Sequence, residues 1–210
     1  MFKNETDDFT NQISLFKSAG AETVTGFVYS YQFASFWRES AQLGYKPEIV
    51  STAGPFLFPG GLDALGDSGD GMMTEIWWTP KLPVTSSLTG QTAKALADEW
   101  EAAQNRQWTP ALGYTHAVWE VAIAALKASG DPKNREAVRD ALQKLTLDTV
   151  AGKVDFAGSP IPGIAHMSLA GGQRRKTAGG KYKYVIVVAY NDSPAPFQVE
   201  AGFKLLSQLT

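Results

Sequence analysis

The chain has 210 residues, of which 44% are hydrophobic and 19% are charged, and its formal net charge is −2. A chain of this length and composition can bury one large hydrophobic core or two smaller ones, which is typical of a globular protein. The small negative charge provides no electrostatic attraction for nucleic acid or an anionic membrane, and the lack of cysteine excludes disulfides, thiolate metal sites and a cysteine nucleophile.

The first predicted element is a helix that begins near Asp8 and ends before Gly20. Phe9, Ile13 and Phe16 are spaced so that they share one helical face. Asp8 is suited to be the N-cap residue, and Gly20 supplies the C-terminal stop. The helix is therefore predicted to pack this apolar face against another element.

A strand, a helix and a second strand follow. Residues 22–29 are rich in Val, Thr and Phe without strict alternation, which predicts a strand buried on both faces. Residues 32–43 predict a helix, and residues 48–52 predict the next strand. Strands joined through a helix pair in parallel, so the unit predicts an α/β fold with a parallel sheet. The apolar stripe of the helix, which we assign to the core, contains Phe33, Phe36 and Trp37.

The rest of the chain predicts three further helices and four further strands. The helices are expected at 92–106, 110–128 and 135–145. The strands are expected at 72–77, 152–156, 165–169 and 182–190, and the last of these is the strongest because its residues are β-branched and aromatic.

A candidate binding site lies where the first predicted strand ends. Tyr29, Ser30, Tyr31 and Gln32 follow that strand and open the next helix. In an open α/β sheet, ligands bind in the crevice at the carboxyl ends of the strands, where helix N-termini present their amides. The alternative is ordinary packing of the turn between strand and helix.

Several short motifs predict surface or packing roles. Gly66-Asp67-Ser68-Gly69 resembles a serine-protease nucleophile sequence, but Asp70 follows it and no base motif accompanies it, so a surface turn is expected. Residues 171–177 lack the glycines of a phosphate loop and predict a solvated basic turn. His116 is expected to be a packing residue near the start of a helix. The sequence therefore predicts no metal site, no cofactor and no enzyme activity.

The pattern of short motifs resembles a known family. These motifs are Asp8-Phe-Thr-x-Gln12, Ala19-Gly-Ala21, Tyr29-Ser-Tyr31, Gln42-Leu-Gly-Tyr-Lys46, Gly69-Asp-Gly71, Trp108-Thr-Pro-Ala-Leu-Gly-Tyr-Thr-His-Ala-Val-Trp119, Gly152-Lys-Val-Asp-Phe156 and Gly171-Gly-Gln173. Together they resemble the type I solute-binding proteins of ABC importers, in particular the branched-chain amino acid (leucine/isoleucine/valine) receptors. The resemblance covers nearly the whole chain.

The resemblance implies a two-lobed periplasmic-binding-protein type I fold with Rossmann-like parallel sheets and flanking helices. The chain is expected to be a truncated form of it that opens inside the second lobe. Residues 1–79 would form a second-lobe α/β segment, 80–151 a helical segment normally packed on the first lobe, and 152–210 a return to the second lobe and hinge. Residues 1–8 contain no apolar signal-peptide core.

The resemblance also implies which residues line the ligand cleft. These residues are Tyr29, Ser30, Thr52, Ala53 and Gly54, with Trp77 and Trp78 near the hinge. Ala53 matches a glutamate that holds the ligand ammonium in the leucine receptors, and an alanine side chain has no hydrogen-bond acceptor. The expected solute is therefore amino acid-like but neutral or acidic, a carboxylate or an aromatic compound, and not a plain aliphatic amino acid.

The resemblance implies a solute-binding component of an ABC importer, located in the periplasm or outside the cell, that presents its solute to a membrane permease. The alternative is a ligand-responsive sensor or structural scaffold that uses the same lobe without transport. An apolar surface normally covered by the first lobe predicts a dimer, a domain-swapped form or a complementary fragment as partner. That surface is expected to include Trp100, Trp119, Leu126 and Leu142.

Overall fold

The computed structural model describes residues 6–209, which divide into two compact units. Unit 1 comprises the described residues of Met1–Glu75, Gly171–Tyr190 and Val199–Thr210. Unit 2 comprises Ile76–Ala170 and Asn191–Gln198. The chain therefore leaves unit 1 and returns to it twice. The three segments expected from the resemblance, 1–79, 80–151 and 152–210, stay a prediction.

The fold is mixed α/β. The helices are α1 (Thr10–Ser18), α2 (Ser30–Gln42), α3 (Pro59–Asp63), α4 (Ala93–Gln104), α5 (Pro110–Ala128) and α6 (Arg135–Gln143). The strands are β1 (Thr23–Phe27), β2 (Ile49–Ala53), β3 (Met73–Ile76), β4 (Thr146–Thr149), β5 (Gly152–Asp155), β6 (Ala170–Lys176) and β7 (Tyr184–Tyr190). Short 3₁₀ turns lie at Gly66–Gly69 and Leu206–Gln208.

The strand–helix–strand prediction is confirmed. β1 pairs in parallel with β2, in a register that runs from Thr23 opposite Ile49 to Phe27 opposite Ala53. β2 pairs in parallel with β3, and β6 pairs antiparallel with β7. The strands form one five-stranded sheet in the order β1-β2-β3-β6-β7.

The prediction that the first strand is buried on both faces is wrong. β1 is the edge strand of the five-stranded sheet, and only Val24 among its residues is even partly buried. Phe27, the last residue of β1, is 69% exposed. Burial of a strand depends on its place in the sheet order, and β1 has β2 as its neighbour on one side only within the described residues.

The core of unit 1 lies between the sheet and helices α1 and α2. Ile13 of α1, Phe33 and Phe36 of α2, and Val50 of β2 are buried in one cluster. The apolar faces predicted for both helices are thereby confirmed, although Trp37 is only partly buried. Asp8 was expected to be the N-cap of α1, but Phe9 occupies that position, and the Asp8 carboxylate accepts a hydrogen bond from the Thr10 amide at 2.9 Å.

The predicted basic turn at 171–177 is wrong, because most of it is strand β6. Gln173 and Arg174 in its centre are each 1% exposed. The Arg174 guanidinium donates to the carbonyl oxygens of Phe56 (2.9 and 2.6 Å) and Leu57 (3.1 Å), which pairs three of its five N–H groups inside the protein. The strand predicted at 165–169 has only an isolated bridge between His166 and Asp155.

In unit 2, a buried carboxylate joins three segments. Glu120 of α5 accepts hydrogen bonds through Oε1 from the amide (2.6 Å) and hydroxyl (2.8 Å) of Ser87, and through Oε2 from the Val150 amide (3.0 Å). Val150 lies in the turn between β4 and β5, which form an antiparallel hairpin. The bounds predicted for α5 are confirmed, whereas β4 was not predicted.

The 3₁₀ turn at Gly66–Gly69 is tied to the sheet by charge. Asp67 Oδ1 accepts from the ammonium groups of Lys176 at 2.9 Å and Lys183 at 3.0 Å. These hydrogen bonds, together with the two positive charges, lower the pKa of Asp67 to about 2. The ionised carboxylate is therefore favoured in the folded chain relative to the unfolded one.

We expect this ion-pair group to contribute stability fully above the ordinary aspartate pKa of 3.8 and to lose that contribution as the pH falls from there towards 2. A ¹³C NMR titration of the Asp67 carboxyl measures the folded pKa directly. Lys176→Gln combined with Lys183→Gln should return it towards 3.8, whereas Lys133→Gln, a control in unit 2, should not. An Asp67 pKa of 3.8 in the unaltered chain would contradict the assignment.

Candidate functional site

The candidate site lies where β1 and β2 end and α2 begins. Because Phe27 lies opposite Ala53, the two strands end at the same edge of the sheet. Tyr29 is the N-cap residue of α2 and Ser30 is its first residue, two residues earlier than the sequence predicts. The N-terminus of α2 therefore lies beside the end of β2.

Gln32 fixes the start of α2. Its side chain is buried, and its Oε1 accepts a hydrogen bond from the Tyr29 amide at 3.2 Å. The side chain thus satisfies one of the amides that a helix start leaves unpaired. Of the four residues that the sequence places in this turn, Gln32 is engaged in holding the turn together.

Tyr29 and Tyr31 form an exposed aromatic pair. Their rings are stacked with centroids 5.9 Å apart and an interplanar angle of 5°. Phe27 meets Tyr29 edge to face at 6.0 Å. Tyr29 is 52% and Tyr31 61% exposed. The pair offers a flat apolar surface with hydroxyl groups at the mouth of the site.

Thr52 carries a buried hydroxyl that has no hydrogen-bond partner among the described residues. The residue is 3% exposed. Val50, two residues earlier, packs in the core cluster with Phe33 and Phe36 of α2. Since alternate residues of a strand share a face, Thr52 points to the side of the sheet on which α2 lies, near the start of that helix. Buried hydroxyls are nearly always paired, so this one is available to a bound group.

The loop after β2 passes close to the end of β1. Gly54 has φ of +101°, and a Cβ there would lie 3.1 Å from the Val28 carbonyl oxygen. Only glycine fits this position without strain. Phe56 and Leu57, a few residues on, are held by Arg174, whose pKa burial lowers to about 10. No carboxylate among the described residues pairs with this guanidinium.

The remaining polar clusters are structural. Ser86 Oγ lies 2.7 Å from His116 Nε2, but the same oxygen accepts hydrogen bonds from the amides of Leu88 and Thr89 at 3.1 Å. That arrangement is a serine turn with its histidine neighbour. His116 is the seventh residue of α5, within the first half of the helix, and was predicted as a polar or packing residue near a helix start. Within residues 6–209 no cluster of His, Asp and Glu forms a metal site, and no helix is long and apolar enough to cross a membrane.

A family model for periplasmic binding proteins matches residues 2–202 of the chain. The chain belongs to the periplasmic binding protein family. Comparison with curated protein sequences gave no match. The family-model match confirms the resemblance that the short motifs indicate.

Solved structures of the family share the fold. A leucine-binding protein from Thermotoga maritima superposes with a TM-score of 0.69 at 16% identity, covering 91% of this chain and 51% of that protein. A leucine-, isoleucine-, valine-, threonine- and alanine-binding protein from Brucella ovis superposes with a TM-score of 0.67 at 17% identity, covering 89% of this chain and 47% of that protein. An ABC-transporter solute-binding protein from R. palustris, in complex with benzoate, superposes with a TM-score of 0.61 at 19% identity, covering 94% of this chain and 50% of that protein. The chain spans about half the length of these proteins.

This periplasmic binding protein brings five of the seven residues expected in the cleft to one edge of the unit 1 sheet. They are Tyr29, Ser30, Thr52, Ala53 and Gly54. The other two, Trp77 and Trp78, belong to unit 2. Trp77 packs against Tyr114 with ring centroids 5.4 Å apart. Trp78 is fully buried and donates its indole N–H to the Val150 carbonyl at 2.8 Å, so its polar group is used within unit 2.

Sequence reasoning missed Arg174 in this periplasmic binding protein. The residue lies in a run of charged and small residues, a composition that is not typical of a buried strand. The strong strand signal of β7 offered one clue, because a strand needs a pairing partner and residues 170–176 precede it closely. The carbonyl partners of Arg174, 117 and 118 residues away, give no signal in the sequence.

Proposed function

We propose that this chain forms one wall of the solute site in the binding protein of an ABC importer of the branched-chain amino acid receptor class. The solute would bind where β1 and β2 end, and the receptor would present it to a membrane permease from the periplasm or the outside of the cell. The observation that carries the proposal is the buried hydroxyl of Thr52, which lacks a partner among the described residues beside the start of α2. Family membership supports the same assignment.

The chemistry of the edge favours an anionic group on the solute. The N-terminus of α2 presents the positive end of the helix dipole. Arg174 adds a buried positive charge that holds the loop after β2. Thr52 can donate its hydroxyl hydrogen to an acceptor. A carboxylate would accept the Thr52 hydroxyl hydrogen and would be attracted by the helix dipole and the buried positive charge.

The rest of the solute is expected to be an aromatic or other apolar group without an ammonium. Ala53 at the end of β2 has no acceptor for a positive charge. The stacked rings of Tyr29 and Tyr31 offer a flat surface to an aromatic ring of the solute. The benzoate bound by the R. palustris neighbour supports this class of solute for the present chain.

An exposed apolar face of unit 2 supports a further part of the proposal, a protein partner. Val118 and Trp119 of α5 are more than half exposed, and Trp100 of α4 and Leu126 of α5 are also exposed. Apolar side chains gathered in this way mark contact surfaces. We therefore include in the proposal a second copy or a complementary fragment that covers this face.

The test of the solute site uses Thr52→Val, which removes the hydroxyl and keeps the shape. Benzoate binding is followed by saturation-transfer NMR at millimolar ligand, because one wall alone should bind weakly, with Kd on the order of 1 mM. We expect Thr52→Val to weaken benzoate binding by about tenfold, roughly one charge-assisted hydrogen bond. Stability in urea should stay unchanged or rise, since the hydroxyl lost has no partner within the described fold.

Thr74→Val is the matched control. Thr74 of β3 is equally buried, but its hydroxyl donates to Glu75 at 2.8 Å. The control should lower the free energy of unfolding by about 1 kcal/mol and leave benzoate binding unchanged. Ala53→Glu should reduce benzoate binding and introduce binding of leucine through its ammonium. Undiminished benzoate binding by Thr52→Val, or no benzoate binding by the unaltered chain, would refute the proposed site.

A further inference from the structure

A second concave site lies at the other end of α2. This α2 groove has a volume of about 730 Å³ and is formed within unit 1 by the second half of α2, the segment 45–48, the segment 64–70 and the C-terminal segment 206–209. Its volume falls in the range of small-molecule sites. Ser40, which lines the groove, is ten residues from Ser30, and at 1.5 Å per helical residue that is about 15 Å along α2. None of the residues that line the groove belongs to the proposed solute site.

The floor of the α2 groove is apolar. Aliphatic and aromatic side chains from all its segments line it, among them Trp37, Tyr45, Leu65, Leu206 and Leu209. Trp37 is fixed in place because its indole N–H donates to the Ser68 hydroxyl at 3.0 Å. The floor offers contact to an apolar body of about one or two rings.

Ser40 places a polar group in this apolar lining. The residue is 1% exposed, and its hydroxyl has no hydrogen-bond partner among the described residues. A serine inside a helix ordinarily bonds to the carbonyl one turn earlier. The Ser40 hydroxyl makes no such bond, and it is available to a polar atom of a molecule in the groove.

The charges at the rim favour an anion. Arg38 and Lys46 line the groove, and neither has a carboxylate partner among the described residues. The acidic groups at the rim are engaged within the protein. Asp67 pairs with lysines of the sheet. Asp70 accepts from the Lys176 amide at 2.8 Å, and Glu48 accepts from the Ser207 hydroxyl at 2.6 Å. Arg38 and Lys46 therefore carry positive charges without ion-pair partners in the described fold and can attract an anionic ligand, whereas each carboxylate at the rim already accepts a hydrogen bond within the protein.

We propose that the α2 groove binds a small amphipathic organic anion. Its aromatic or aliphatic body lies on the floor around Trp37 and Leu206, its anionic group lies beside Arg38 and Lys46, and a polar atom reaches the Ser40 hydroxyl. This is a second ligand site, independent of the proposed solute site, and neither Thr52 nor Tyr29 lines it.

The probe for the test is 8-anilinonaphthalene-1-sulfonate, an aromatic anion of suitable size. Trp37 is the one tryptophan outside unit 2, where the other five lie. In ¹H–¹⁵N NMR spectra its indole signal, assigned with a Trp37→Phe variant, therefore reports on the α2 groove. We expect the probe to shift this signal in a saturable manner. Shifts confined to the indoles of Trp100 and Trp119 would place the probe on unit 2 and overturn the proposal.

Two sets of variants test the chemistry of the groove. Arg38→Glu combined with Lys46→Glu should weaken binding at the Trp37 signal by tenfold or more, as should be expected from two reversed charges at about 4 to 8 Å. Lys133→Glu, a charge reversal in unit 2, should leave it unchanged. Ser40→Ala should weaken the same binding by about threefold to tenfold without lowering stability, because its hydroxyl has no partner in the described fold. Unchanged affinity in the variant that combines Arg38→Glu with Lys46→Glu, or in Ser40→Ala, would overturn the proposal. Thr52→Val should not affect this site, so the two proposals fail separately.

Discussion

Replacing Gly113 by alanine is expected to lower the free energy of unfolding by about 3 kcal/mol, at the upper end of overpacking effects. A Cβ at Gly113 of α5 would lie 2.2 Å from two atoms of the Trp78 indole ring. Trp78 cannot move aside easily, because it is fully buried, packs edge to face on Trp108 and donates to the Val150 carbonyl. Urea unfolding followed by far-UV circular dichroism measures the effect.

The sign of this result is informative because helix propensity acts the other way. Alanine in place of glycine inside a helix ordinarily stabilises by about 1 kcal/mol. Gly60→Ala in α3 is the matched control, since a Cβ there meets no atom within 4 Å, and it should be neutral or stabilising. Trp78→Leu should remove most of the penalty of Gly113→Ala in a double-mutant cycle. A Gly113→Ala variant as stable as the parent would show that the two residues do not pack as described.

Replacing Arg174 by methionine should lower the free energy of unfolding by about 3 kcal/mol. Methionine keeps much of the side-chain volume, but the carbonyl oxygens of Phe56 and Leu57 lose their donors and stay buried, each at a cost of about 1 to 3 kcal/mol. Part of this free-energy cost is offset, because the substitution also removes a desolvated positive charge from the interior. The lowered pKa of Arg174 reflects that desolvation. The net effect is a loss because the two acceptors remain.

The loss from Arg174→Met should be measured by urea unfolding followed through the indole signal of Trp37 in ¹H–¹⁵N NMR spectra, because Trp37 is the tryptophan of unit 1. Arg175→Met is the neighbouring control. Arg175 is only partly buried and bonds to the Gly202 carbonyl at 2.9 Å, so its replacement should cost about 1 kcal/mol or less. Equal effects at the two positions would argue against a specific role for the buried guanidinium. A benzoate affinity reduced only by Arg174→Met would link the residue to the loop after β2.

The elements predicted well from the sequence are those with a long periodic pattern or a dense run of β-forming residues. The bounds of α5 were predicted to the residue, and β7 begins two residues later than expected. The strand–helix–strand unit of β1, α2 and β2 was also predicted, because Gly, Pro and polar residues separate its parts. These patterns are local, so a single sequence contains them.

The errors arose where burial depends on distant partners. The sequence of β6 predicts a polar turn because its buried residues are Ala, Gly, Gln and Arg. The side chains of Gln173 and Arg174 donate to the Gly71 and Phe56 carbonyls, which lie more than 100 residues away. β1 reads as an internal strand, and its edge position follows from the sheet order, which the local sequence does not determine. The positions of Tyr29 and Ser30 in the candidate site were predicted, whereas the missing partner of the Thr52 hydroxyl could be seen only in three dimensions.

The insertion of unit 2 between neighbouring strands has a consequence for folding during synthesis. Gln173 of β6 donates to the Gly71 carbonyl next to β3, and these residues are 102 positions apart. At ribosomal rates of about 5 to 20 residues per second, β6 is synthesised roughly 5 to 20 s after β3. During that interval the β1-β2-β3 sheet has an open edge at β3 that other chains can join. Early folding of unit 2 would shorten this exposure, because it brings the two ends of the inserted segment together before β6 docks.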